Sequence, residues 1–180
     1  MAFIVPYIVY LTGNLRDAFG PLAYALADFL YGPVLAACLV TAIIAVRERV
    51  GERAPRRMNV GLSAAWVAAA AFVAVACIRS ANRQYHVLHP DLHLEDSTTV
   101  LVVWATLVAG VVGVAWHFLG WTFVLVGWAG WTSRRLPRAL SALYVAGGAV
   151  SLFVYLIPKS EGGAAALVIA PISPHTLSDR

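Results

Sequence analysis

The sequence predicts an all-α integral membrane bundle of four transmembrane helices, the third of them long. Three observations predict it. Hydrophobic residues make up 61 % of the chain and charged residues only 12 %, more apolar material than a soluble domain of this size buries. The apolar residues gather into four long stretches within 21–158, divided by short charged segments. Basic charge concentrates in two of those segments, 47–57 and 133–138, as expected of cytoplasmic loops.

Each element follows in order. Residues 1–20 begin apolar, but the stretch is short and contains Pro6, so it is not expected to cross about 30 Å of hydrocarbon. It lacks the basic start and small-residue cleavage site of a signal peptide, and is expected to lie at the interface or to be the remnant of a truncated span. The first span covers 21–46, opened by Pro21, which suits a first helical turn, and ended by Arg47-Glu48-Arg49. The segment 47–57 then sets Arg47, Arg49, Arg53, Arg56 and Arg57 against Glu48 and Glu52. The second span, 58–78, is rich in Ala and Val, and 79–97 reads as a polar loop.

The apolar run 98–132 is the ambiguous one. Two crossings need about 40 apolar residues and a turn, more than this run holds. A single crossing also puts both arginine-rich segments on one side, so one long helix is expected. The second basic segment leads into a fourth span, 139–157, and a tail, 159–180, whose apolar patch at 164–170 is too short to cross. The expected protein is multi-pass in the plasma membrane, with 47–57 and 133–138 cytoplasmic and both termini and 79–97 outside.

Ionisable groups inside a span are costly and mark candidate sites. Asp28 lies two turns into the first span, with Tyr24 and Tyr31 on the same helical face as hydroxyl donors. Gly32-Pro33 follows, where proline is expected to kink the helix. The plainer alternative is an outer-leaflet Asp28 that reaches the headgroups or pairs with Arg79 or Arg83. His117 is the one histidine within a span. It stands within about 60° of a stripe of Gly113, Gly120 and Gly127 at 100° per residue, a stripe suited to close helix approach. An Asp28–His117 pair is therefore possible, with Trp116 and Trp121 beside it to line an apolar pocket; the plainer reading is a histidine satisfied by a hydroxyl or a carbonyl. Trp128 and Trp131 near Arg134 suggest an interfacial belt, and Tyr144, Gly148, Ser151 and Tyr155 a packing face on the fourth span. Cys38 and Cys77 fall in spans, separated in depth by roughly 20 Å at 1.5 Å per residue. They are expected to be buried and unbridged.

The outer loop holds His86, His89 and His93 with Asp91, Glu95 and Asp96, a nitrogen and oxygen set able to take a divalent transition metal such as Zn²⁺ or Cu²⁺. Pro90 disfavours one helical ligating face, and a polar membrane-surface loop has the same composition. A haem held by two histidines is not expected from one intramembrane histidine. The net charge of +4 has no basic face with interleaved aromatics, so nucleic acid is not an expected partner. The lipid bilayer, a membrane protein partner or a second copy are.

The stretch Trp116-His-Phe-Leu-Gly-Trp-Thr-Phe-Val-Leu-Val-Gly-Trp-Ala-Gly-Trp-Thr-Ser-Arg-Arg-Leu-Pro-Arg-Ala-Leu140 resembles a recurrent pattern in small bacterial polytopic membrane proteins of unknown function. In these a glycine-containing span ends in a basic Leu-Pro-Arg turn and a glycine-rich span follows. The resemblance covers the second half of the chain. It implies a polytopic bundle and brings no activity.

Three functions compete. The first is an accessory bundle that binds lipid or a protein partner, favoured by the glycine stripes and by the absence of a complete catalytic set. The second is an outward-facing ligand- or ion-handling protein using Asp28, His117, Tyr24, Tyr31 and Trp121. The third is a metal-dependent membrane enzyme using His86, His89 and His93, although HExxH, GxSxG and aspartate-rich diphosphate motifs are all missing from the sequence.

Overall fold

Proline placement shapes the first helical rod. In the computed structural model, which describes residues 21–88 and 98–153, α1 (Pro21–Phe29) passes through a π-helical turn at Leu30–Val34 into α2 (Leu35–Val50). Pro33 has no N–H to give to the ladder. Instead of breaking, the helix widens, and the Leu35 N–H reaches the carbonyl of Leu30 five residues back. The expected kink is thus taken up as a π turn. That turn lays Gly32 against Ala76 of the next helix, where an added Cβ would collide with the alanine's own.

Pro55 opens α3 (Pro55–Leu88) at the position where its missing donor costs nothing. This helix runs ten residues past the expected end of the second span, so 79–88 is helix and not loop. Arg79, Ala81, Arg83 and Gln84 are good helix formers with no Gly or Pro among them, and the two arginines find a partner on α1, described below. α4 (Thr98–Ser133) is a single unbroken helix of 36 residues, as the sequence led us to expect. It ends where Arg134 turns left-handed at φ 56°, and Pro137 follows. α5 (Arg138–Phe153) completes the described chain.

Among the described residues the protein is all-helical, with four helical rods and no strand. Three are long and apolar enough to cross a membrane: Tyr24–Val50, Pro55–Tyr85 and Val102–Ser133. Arg138–Phe153 is apolar but shorter. The expected interfacial segment 1–20, the loop 89–97, the last residues of the fourth span and the tail 159–180 lie outside the described residues.

The rods form an open row. Each packs antiparallel on its chain neighbour, the first rod on α3, α3 on α4 and α4 on α5, and the first rod touches α4 only lightly. Alanines line the buried side of α3 (Ala64, Ala65, Ala68, Ala69) and let its neighbours come close. The core lies where α2, α3 and α4 meet, around Ile43, Val50, Met58, Leu119 and Val126, with Phe72 edge-on to Trp116 at 6.1 Å. Between α4 and α5 the glycine stripe closes the interface. A Cβ on Gly120 would stand 2.9 Å from the Gly148 carbonyl, and one on Gly148 would stand 2.7 Å from the Gly120 carbonyl. Gly127 is equally crowded by Ser141 and Tyr144, whereas Gly113 meets nothing within 4 Å among the described residues. Cys38 and Cys77 are free, as expected, but exposed on the helix surface and not buried. In a row only one or two sides of a helix are covered, so apolar composition does not place a side chain inside.

Candidate functional site

The i, i+4 spacing of Arg79 and Arg83 puts both guanidiniums on one face of α3, and α1 brings Asp28 against that face. Arg83 Nη2 stands 2.5 Å from Asp28 Oδ2, and Arg79 Nε stands 3.4 Å from Oδ1. The carboxylate is the buried member: its side chain is 9 % exposed, against 24 % and 31 % for the arginines. One negative charge is thereby neutralised by two positive ones whose far edges reach outward. The arrangement matches the plainer of the two sequence readings, with both named arginines taking part. Chemically it is an ion-pair clamp between α1 and α3, and it leaves a surplus of positive charge. Tyr24 and Tyr31 are half-buried on the same rod and engaged in interactions of their own.

His117 is engaged elsewhere. The Trp121 indole N–H donates to His117 Nε2 at 3.1 Å, one turn along α4, which places the imidazole proton on Nδ1. The rings of Phe118 and Trp121 stand edge-on to the imidazole at 5.8 Å and 6.4 Å. Trp116 and Trp121 part company: the first packs on the core against Phe72, and the second lies at the surface, 44 % exposed. On the packing face of α5, Ser151 Oγ donates to the Gly147 carbonyl, and the Tyr144 ring lies tilted against Phe123 at 5.5 Å. Thr122, fully buried on α4, donates to its own Phe118 carbonyl and leans on the Gly61 carbonyl of α3.

Of the histidine cluster, His86 falls in the last turn of α3, while His89 and His93 lie outside the described residues. Among the described residues no three His, Cys, Asp or Glu side chains gather as a metal site.

The opposite end of the row holds a second polar constellation. The Arg53 guanidinium donates to the Ser133 carbonyl at the C-terminus of α4, where an unsatisfied acceptor and the helix dipole both favour a cation. Arg57 donates to Thr132 Oγ1 at 3.0 Å and lies over the Trp128 ring at 4.4 Å. Arg47 donates to Asn59 Oδ1. The two arginine-rich connections are thus tied to each other, and between them opens a cleft lined by Glu48, Arg49, Glu52 and Arg135. Sequence reasoning read these residues as loop charge alone. The available signal was that both segments had to lie on one side, which forces their charges to meet.

Comparison with known proteins finds no family model, no curated protein and no solved structure that matches this chain. Its class therefore rests on the helices: all-helical, with three rods compatible with a multi-pass membrane protein.

Proposed function

We propose that this chain is a four-span bundle of the plasma membrane that serves as a non-catalytic accessory protein, binding lipid or a membrane partner along its sides. On this reading α5 is the fourth span, the arginine-rich connections are cytoplasmic and both termini are outside. A hydrocarbon core of about 30 Å takes about 20 helical residues. Counted from the arginine-rich end, that length reaches Asp28 on the first rod and the neighbourhood of Arg79 on α3. The clamp then sits at the outer border, where arginines reach headgroups and a carboxylate need not be stranded.

One observation carries the reading. Asp28, His117, Thr122 and Ser151 inside the row each hold a structural contact, while large apolar side chains such as Val103, Leu143, Val150 and Phe153 point outward. Such a surface asks for lipid or protein cover. The test is extraction in polymer nanodiscs followed by mass determination. The expected result is reproducible co-extraction of defined lipids or a second chain. That composition should survive His117→Ala, while Asp28→Asn should lower stability without abolishing a chemical activity. A monodisperse chain that loses all lipid in mild detergent and stays stable would overturn the proposal.

A further inference from the structure

We propose that the cleft at the arginine-rich end is a headgroup site for an ethanolamine phospholipid. Arg49 and Arg135 would hold its phosphate, and Glu48 and Glu52 its primary ammonium. The inference rests on the lipid-binding reading above and gives it a place and a chemistry.

The cleft is a shallow depression open to solvent and lined by those four exposed residues. Two guanidiniums and two carboxylates share this space, yet no ion pair joins them. Ion pairs do close elsewhere, at Asp28. Three neighbouring arginines are committed elsewhere, Arg47 to Asn59, Arg53 to Ser133, Arg57 to Thr132 and Trp128. Four charges that line one opening without closing on each other present both signs to whatever enters. A guanidinium grips a phosphate oxygen pair with parallel N–H donors. A carboxylate has only acceptors and calls for a cation that donates.

That combination selects among headgroups. A glycerol headgroup supplies the phosphate but leaves both glutamates facing no cation. A choline headgroup supplies a cation that has no N–H to give. Phosphoethanolamine supplies a phosphate and three N–H donors on one short linker. The depth also suits a lipid. Trp128 and Trp131 stand half-exposed at this end of α4, the position that tryptophan takes at the headgroup layer. Arg135 lies two residues beyond the end of α4, and Glu48 and Arg49 lie in the last turn of α2.

The experiment uses the full chain, delipidated in detergent. Phosphatidylethanolamine, phosphatidylglycerol and phosphatidylcholine of matched acyl chains are titrated, and bound lipid is read by native mass spectrometry. Ethanolamine lipid should bind about tenfold tighter than the other two, the effect of one added charge-assisted contact. Glu48→Gln with Glu52→Gln should bring it down to the level of the other two. Arg49→Gln with Arg135→Gln should weaken all three. Circular dichroism confirms that each variant folds, and Arg135→Lys, which keeps the charge, should retain the preference for ethanolamine. Equal binding of the three lipids, or tightest binding of the glycerol lipid, overturns the site. An ethanolamine preference that survives both double variants overturns the cleft while leaving the lipid-binding reading standing. Failure of the wild-type chain to hold any of the three overturns both.

Discussion

At Asp28 the carboxylate is buried while its two arginines reach outward, so the energetic cost of burial falls mainly on one atom group. Removing that group leaves two cations facing each other across a helix interface. Asp28→Ala should destabilise the protein by about 1–3 kcal/mol, below the usual value for a fully buried pair because the arginines are partly exposed. In a double-mutant cycle with Arg83→Ala, unfolding in mixed micelles should show a favourable coupling of about 1 kcal/mol. Additive effects would mean that the clamp contributes nothing. Arg134 gives a second test. It holds φ 56° at the end of α4, a conformation that costs a side-chain-bearing residue about 1 kcal/mol and costs glycine almost nothing. Arg134→Gly should raise stability by about that amount in the same assay.

At the scale of elements, the α4–α5 contact depends on backbone approach at Gly120, Gly127 and Gly148. Gly148→Val should cost about 1–3 kcal/mol by forcing α5 away from α4, seen as a lower melting temperature and loss of Phe123–Tyr144 proximity. Gly147 faces open space, so Gly147→Ala should be neutral or stabilising by up to about 1 kcal/mol through helix propensity. Equal damage at Gly147 and Gly148 would contradict the interface. The seven-residue stripe was visible in the sequence, and two of its three glycines do meet α5. The third, Gly113, meets no described residue of α5, whose described part ends at Phe153, just past the Leu152 that faces Gly120.

For the whole molecule, the tie between Arg53 and Ser133 and that between Arg57 and Thr132 put the two basic connections at one end of the row. With both native cysteines replaced by serine, single cysteines at Arg56 and at Arg134 should both resist an impermeant maleimide in intact cells, and one at Asn82 should react. Opposite accessibility of Arg56 and Arg134 would break the topology. The chain order of the helices, the unbroken length of α4 and the common side of the arginines were all legible in the sequence. Each is a property counted along the chain: hydropathy sets which residues leave water, and charge sets which loops stay behind. The helical continuation of 79–88, the outward cysteines, the open row and the cleft between Glu48, Arg49, Glu52 and Arg135 were not. These depend on which faces meet, and where a helix is apolar all round no hydrophobic gradient marks one face as the inner one. Close packing at Gly32, Gly120 and Gly148, and one ion-pair clamp spanning residues 28 and 83, settle that choice only in three dimensions.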